Sequence, residues 1–247
     1  MRIEHIGDAT LILADCMDIM RDMPDKAFDL AIVDPPYGIN AHTFQPPSDS
    51  YRKRTKRNNS KRLNGGSGKL KNRILNTSNC GWDEKTPDAD YFNELFRVSK
   101  NQIIWGGNYF SLSPSRCVLC WDKVQPWENF SQWEMGWTSF DSPSALFRYD
   151  NRQYSKIHPT EKPVALYKWL LSRYAKPGDT ILDTHGGSGS SVIACLDMGY
   201  SITWIEKDED YYNAALKRIK DFAAQPKLPM DDTPEPVEQW LGFEEEL

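Results

Sequence analysis

The sequence predicts an α/β fold built on a mostly parallel sheet. Short apolar runs of strand length alternate along the chain with runs of helical period. A glycine-rich turn joins one strand to a helix, and an acidic residue ends the strand that follows.

Taken in order, Thr10–Ala14 and Phe28–Val33 read as strands, with a weak helix near Met17–Met23 between them. Tyr51–Asn79 is rich in Lys, Arg, Asn, Ser and Gly without an apolar period, and reads as a long loop. Asp88–Ser99 has helical spacing with Asp88 as N-cap, and Gln102–Trp105 follows as a buried strand. Cys117–Tyr149 is aromatic, β-leaning and irregular. Pro163–Tyr174 is a helix opened by proline, Thr180–Asp183 a strand, and Ser190–Met198 a helix closed by Gly199. Ser201–Glu206 is a strand and Glu209 to about Phe222 a helix, after which 225–247 is Pro-rich, acidic and extended. No internal repeat is visible.

The 247 residues, 39% of them hydrophobic, suit one domain over 1–247 with an appended lobe. Met1–Asp15 does not resemble a signal peptide, and no apolar run is long enough to span a membrane. Five scattered cysteines do not form a disulfide framework, which places the chain in a reducing cytoplasm. Cys117-x-x-Cys120 invites a zinc reading, but it falls in a strand, where residues three apart face opposite ways, so no metal is expected. Nine tryptophans exceed the usual needs of a core; stacking surfaces and the packing of a small β-lobe both account for them.

The net charge of −5 conceals a segregation. Between Asp49 and Asp83 there is no acid, yet the interval holds Arg52, Lys53, Arg54, Lys56, Arg57, Lys61, Arg62, Lys69, Lys71 and Arg73. From Met230 onward the pattern reverses, with seven acids and no Lys or Arg. A merely solvated loop usually mixes signs, so the cationic interval points to a polyanionic partner.

Asp183-Thr184-His185-Gly186-Gly187-Ser188-Gly189 ends a strand and opens a helix. Glycines allow close approach of a ligand, and the helix N-terminus favours anionic groups. Glu206, about 20 residues on at a strand end, is placed to bond ribose hydroxyls. These features point to an adenosine-containing cofactor and fit a dinucleotide and S-adenosylmethionine alike. The second turn, Asp34-Pro35-Pro36-Tyr37-Gly38, follows a buried strand directly. Two prolines stop the ladder there, so a carboxylate, fixed carbonyls and an aromatic ring are presented together at the sheet's C-terminal edge.

Asp34-Pro35-Pro36-Tyr37 resembles the DPPY motif of the amino-group DNA methyltransferases. Asp183 to Gly189 is similar to their glycine motif, His158-Pro159-Thr160-Glu161-Lys162-Pro163 to their H-P-T-x-K-P segment, and Leu13-Ala14-Asp15-Cys16 to their L-x-G-D-C box. With the catalytic motif preceding the glycine motif, the order is that of the permuted β-class, and the likeness runs from Ile12 to Ile219. It implies a Rossmann-like, S-adenosylmethionine-dependent methyltransferase fold, circularly permuted, with a target-recognition lobe at 106–157. The chain is similar to stand-alone bacterial or phage enzymes of the family, which also serves restriction-modification.

The resemblance assigns roles. Asp34, Pro35, Pro36 and Tyr37 are catalytic: Asp34 and the Pro35 carbonyl accept the two N–H bonds of an exocyclic amine, whose lone pair is otherwise delocalised, and Tyr37 stacks on a flipped base. Asp15 and Cys16 bracket the cofactor adenine, Glu206 its ribose, and Asp183, Gly187 and Gly189 shape the methionine pocket with Thr160 and Lys162 close by. His185 stands where the family has phenylalanine; a protonated imidazole there would repel the sulfonium, so His185 is expected to be neutral.

Arg52, Lys53, Arg54, Lys56, Arg57, Lys61 and Arg62, in a basic loop over 44–80, are expected to bind DNA phosphates, and Asn108 to reach the target base. The partner implied is double-stranded DNA with its target base flipped, and the family suggests a homodimer. Asp at the first motif position favours adenine N6 over cytosine N4. An RNA methyltransferase and a non-catalytic DNA-binding protein of the same fold remain alternatives. The acidic tail is placed to compete with DNA for the basic loop, so deleting 230–247 is expected to raise DNA affinity at low salt in a titration of labelled duplex.

Overall fold

The computed structural model describes residues 1–39, 83–124, 131–150, 157–158 and 160–226. The basic loop with its seven assigned cations, Trp127 and the acidic tail beyond 226 lie outside the described residues. The elements run β1 (Arg2–Ile6), β2 (Ala9–Leu13), α1 (Cys16–Asp22), β3 (Phe28–Val33), α2 (Ala89–Val98), β4 (Ser99–Trp105), β5 (Val118–Asp122), β6 (Trp133–Thr138) and β7 (Ala145–Arg148). There follow α3 (Val164–Tyr174), β8 (Thr180–Asp183), α4 (Ser190–Met198), β9 (Ser201–Glu206) and α5 (Glu209–Ala223).

All nine strands form one sheet in the order β1-β2-β9-β8-β3-β4-β6-β5-β7. The five central strands, β2, β9, β8, β3 and β4, are mutually parallel. β1 adds antiparallel to β2, and β6 and β5 extend the other side antiparallel, with β7 parallel to β5. The expected α/β architecture is therefore present, and the aromatic stretch after residue 117 becomes the far wing of the same sheet. Among the described residues, no helix is long and apolar enough to cross a membrane.

Strand alternation decides which helix covers which face. Leu30, Ile32, Ile103 and Trp105 join a core with Leu166 and Leu170 of α3, Val192 of α4 and Tyr212 of α5. The intervening Ala31, Val33 and Ile104 join Met20 of α1 and Leu95 and Val98 of α2 on the opposite face. Central strands buried on both sides read as continuous apolar runs, and for that reason β3 and β8 are legible as strands. Cys117 packs with Leu119 and Trp121 in the first core, while Cys120 falls outside it. The four described cysteines are free thiols. Trp105, Trp121, Trp137 and Trp204 are buried, so packing accounts for them, whereas Trp133 is half exposed.

Two refinements of the expected elements have physical causes. β1 does not stand out in the sequence because it is an edge strand of alternately exposed residues, too polar to show an apolar run. β4 begins at Ser99, three residues before its apolar run, since that serine's side chain caps Leu95 of α2 while its backbone already pairs with β3. Leu30 is 1% exposed at the centre of the sheet. Leu30→Ala is expected to lower unfolding free energy by about 2–5 kcal/mol, read from a urea midpoint with unchanged slope.

Candidate active site

β3 and β8 lie side by side and parallel, so the turns that leave them emerge at the same edge. From there the chain connects outward in opposite directions, β8 toward β9 and β3 toward β4. This is a topological switch point, where open α/β sheets form a ligand crevice. One wall of it carries Asp34 and Tyr37; the other carries the glycine turn.

The catalytic turn is held from several sides. Tyr37 Oη donates to Asp34 Oδ1 at 2.5 Å, and the Lys162 ammonium pairs with Asp34 Oδ2. Asp83 Oδ1 accepts the backbone N–H groups of Tyr37 at 2.8 Å and Gly38 at 3.1 Å. Asp83 is buried, so a fixed carboxylate locks the turn's backbone. Beneath the ring, a Cβ on Gly106 would come within 2.2 Å of Tyr37, so only glycine fits there. Tyr109 stacks on Tyr37 at 4.9 Å with 14° between the rings, and Asn108 beside it is exposed.

Lys162 is almost fully buried and also lies 3.3 Å from Glu134 Oε2 and 3.3 Å from Tyr37 Oη. Glu134 Oε1 in turn accepts from Lys123 Nζ at 2.7 Å. Burial raises the Asp34 carboxyl above the usual range, an effect the Lys162 charge opposes and the Glu134 charge reinforces. Burial acts against Lys162 as well, but Asp34 and Glu134 outweigh it and hold the ammonium charged. For Glu134 the burial penalty is outweighed by Lys162 and Lys123, so it titrates below the usual range.

The glycine turn is equally built. Asp183 Oδ1 accepts from His185 N at 3.1 Å and Oδ2 from Ser191 Oγ at 2.6 Å. Burial nevertheless pushes its carboxyl up to about 7. Glu206 Oε2 accepts from Gly187 N at 2.8 Å and Oε1 from Asp208 N at 2.8 Å, and burial raises it too. Gly187 and Gly189 adopt φ +51° and +72°, a region glycine enters without strain. A Cβ on Gly186 would stand 1.9 Å from the Trp204 indole. Arg218 bridges the turn and the H-P-T-x-K-P segment, bonding Ser188 O at 2.9 Å and pairing with buried Glu161 at 3.3 Å.

His185 packs edge-on to Tyr91 at 5.2 Å, its Nδ1 lying 3.0 Å from Thr184 Oγ1. Burial, with help from Lys207, lowers its pKa to about 4. The imidazole is thus held neutral around pH 7. Asp15 caps α1 through Met17 N at 2.9 Å, and the Cys16 thiol, pushed up to about 12 by burial and Asp15, is an uncharged packing group. The residues suit an adenosine-bearing, cationic group: two buried carboxylates, a glycine cradle and a helix N-terminus converge, and no ammonium lies on the turn itself.

Most residues expected from sequence converge on the crevice, but Lys162 sits on Asp34, not on the glycine turn. Thr160 is exposed and reaches the turn only through His158, whose ring lies 3.6 Å from a Cβ placed on Gly187. Sequence reasoning missed Glu134, Asp83 and Tyr91. Asp83 had one visible signal, as the first acid after the cationic interval.

The description "DNA methylase" attaches to the family whose model matches residues 104–217, spanning β4 to α5. Over that stretch the chain resembles the N6/N4 amino-group DNA methyltransferases. The chain is 23% identical to the type II methyltransferase M.HinfI of Haemophilus influenzae, over 92% of its own length and 73% of that protein's. It is 24% identical to the putative methylase YubD of Escherichia coli (strain K12), over 84% and 88%. Among solved structures it is similar to the M1.HpyAVI–SAM complex (TM-score 0.52, 17% identity, 85% and 99% covered). It is also similar to the cytosine-N4-specific PvuII DNA methyltransferase (TM-score 0.53, 11% identity, 88% and 92% covered). Both likenesses establish the fold. Enzymes of this family methylate an exocyclic base amine of DNA with S-adenosylmethionine as donor.

His185 offers a test of the site's electrostatics. Its folded pKa lies below the ordinary 6.5, so the unfolded chain binds the proton first, and stability present above 6.5 is lost as pH falls toward 4. His185→Phe removes this loss. Its Tm relative to wild type is expected to rise between about pH 7 and pH 5 by calorimetry; an equal difference at both would contradict the buried neutral imidazole.

Proposed function

We propose that the protein transfers a methyl group from S-adenosylmethionine to the N6 amine of a flipped adenine in double-stranded DNA. The observation that carries this reading is the placement of Asp34, on a rigid Pro-Pro turn at the switch point, directly across from the glycine turn after β8. When bound, S-adenosylmethionine supplies an electrophilic methyl carbon whose bonding electrons remain with sulfur. Asp183, Gly187, Gly189 and Glu206 are the residues that would hold it, with Asp15, Cys16 and an uncharged His185 alongside.

Asp34 and the Pro35 carbonyl accept the amine's two N–H bonds, which favours a nitrogen whose lone pair is free to react. The positive charge that develops there is stabilised by the adjacent carboxylate, and Asp34 takes the proton that the alkylated nitrogen sheds. Its raised carboxyl pKa suits proton uptake. Tyr37 offers its ring to the flipped base, with Tyr109 yielding that face. Adenine is favoured because Asp occupies the first position of the motif. The cations at 52–62 contribute phosphate contacts and Asn108 a contact near the base. A homodimer acting in the cytoplasm of a bacterium or phage-infected cell fits the family likeness.

The test uses wild type and Asp34→Ala with unmethylated plasmid and S-adenosylmethionine, followed by digestion to nucleosides and mass spectrometry. N6-methyladenine from wild type and its loss in the variant by about a hundredfold or more is expected, the scale of a lost transition-state acceptor. N4-methylcytosine would move the assignment to the other base, and methylation of RNA alone would overturn the DNA reading.

A further inference from the structure

The pairing around Asp34 contains one group that the proposed reaction does not use. Both Asp34 oxygens are engaged, Oδ1 by the Tyr37 hydroxyl and Oδ2 by the Lys162 ammonium. An amine that docks on Asp34 must therefore displace a resident donor. Lys162 is 2% exposed, and an ammonium so deeply buried cannot simply leave a carboxylate, because an unpaired buried charge is strongly disfavoured. It needs a second anion within reach.

Glu134 supplies it from β6, two strands along the sheet from β3. Its Oε1 is fixed by Lys123 at 2.7 Å, and its Oε2, buried, already pairs loosely with Lys162 Nζ at 3.3 Å. Lys162 sits closer to Asp34 than to Glu134, so the Glu134 oxygen is a buried acceptor toward which the ammonium can shift by a fraction of an ångström. Lys123 anchors the Glu134 carboxylate from β5's end, so the acceptor stays in place while the lysine moves.

We infer that Glu134 is a positioning residue: it receives the Lys162 ammonium when the target amine docks, so that Asp34 Oδ2 is released to the base without an unpaired cation in the site. The inference rests on the methyl-transfer reading above. Transfer of Lys162 between two carboxylates conserves charge and involves no bond making beyond hydrogen bonds. Asp34 Oδ2 then faces the base while Oδ1 stays held by the Tyr37 hydroxyl, with Lys162 close enough to limit the carboxylate's basicity.

The other titratable groups facing this cluster are Tyr37, Asp183, Tyr91 and Tyr167, with His158 beyond Lys162. Glu134 differs from all of them in being an anion next to Lys162. Replacing it by a neutral isostere removes a charge that raises the Asp34 carboxyl and leaves Lys162 wholly to Asp34. Asp34 then becomes more acidic and less available together.

Steady-state methylation of unmethylated DNA is measured across pH for wild type, Glu134→Gln and Glu134→Asp, with S-adenosylmethionine affinity and Tm recorded for each. Glu134→Gln is expected to lower kcat by about tenfold or more with the DNA KM little changed, and to move the acid limb of the profile to lower pH. Glu134→Asp, which keeps the charge but withdraws it, is expected to give an intermediate kcat with the acid limb at its wild-type position. Wild-type kcat in Glu134→Gln overturns the proposal, and so does a loss of kcat with an unmoved acid limb, which a merely structural role would give. If Glu134→Gln does not fold, a Glu134→Asp enzyme with undiminished kcat overturns it. An inert wild type toward every DNA overturns instead the reading on which it rests.

Discussion

The site depends on an ion pair assembled out of water. Lys162 and Asp34 meet in the crevice between β3 and β8, both largely desolvated, and each would be disfavoured there alone. Their pairing brings together segments far apart in the chain: the end of β3, the approach to α3 and, through Glu134, strand β6 of the sheet's far wing. Asp183 lies across the crevice, close enough that the Asp34 charge helps to raise its carboxyl. The parallel sheet makes this possible, since only neighbouring parallel strands deliver both turns to one edge.

Around that pair, rigid groups are devoted to fixing backbone. Asp83 holds the catalytic turn by two N–H groups, Glu206 holds the glycine turn by Gly187, and Arg218 ties the turn to Glu161. Each such contact sets a position before a ligand arrives, and preorganised donors and acceptors are worth more in a crevice than in water. Glu206 is the instructive case. Its place at the end of β9 is the one expected of a ribose acceptor, yet it already accepts two backbone N–H groups. Any further bond uses the remaining lone pairs of a carboxylate that is oriented in advance.

Much of this is legible in the sequence, for identifiable reasons. Strands β3, β8 and β9 announce themselves because both faces are buried, and the two turns because proline and glycine have few other uses at a strand's end. The motifs alone bring Asp34, Tyr37, Asp183, His185 and Glu206 to one crevice. What stays hidden is what depends on lateral neighbours. Glu134 looks like any acid in an aromatic strand until β6 is laid beside β4 and β5. Asp83 is separated from Tyr37 by 46 positions. Lys162 stands in a segment whose family likeness suggests the cofactor, yet its long side chain carries the ammonium across to the catalytic carboxylate. The tryptophans of the aromatic stretch are a similar case: once the wing is seen to be continuous with the sheet, Trp105, Trp121 and Trp137 are structural.

Gly186 carries a consequence for how inherited or engineered changes in this protein are interpreted. It sits among the glycines of the cofactor turn, where a damaging replacement is naturally blamed on a lost ligand. The space beside its Cα is filled by the indole of Trp204, a side chain of the neighbouring strand buried to 0% exposure. A methyl group there forces the indole or the strand to move before any ligand is involved. An inactive Gly186 allele is therefore a misfolding allele first, and chaperone supply or growth temperature, not donor concentration, is the handle by which its phenotype is to be relieved.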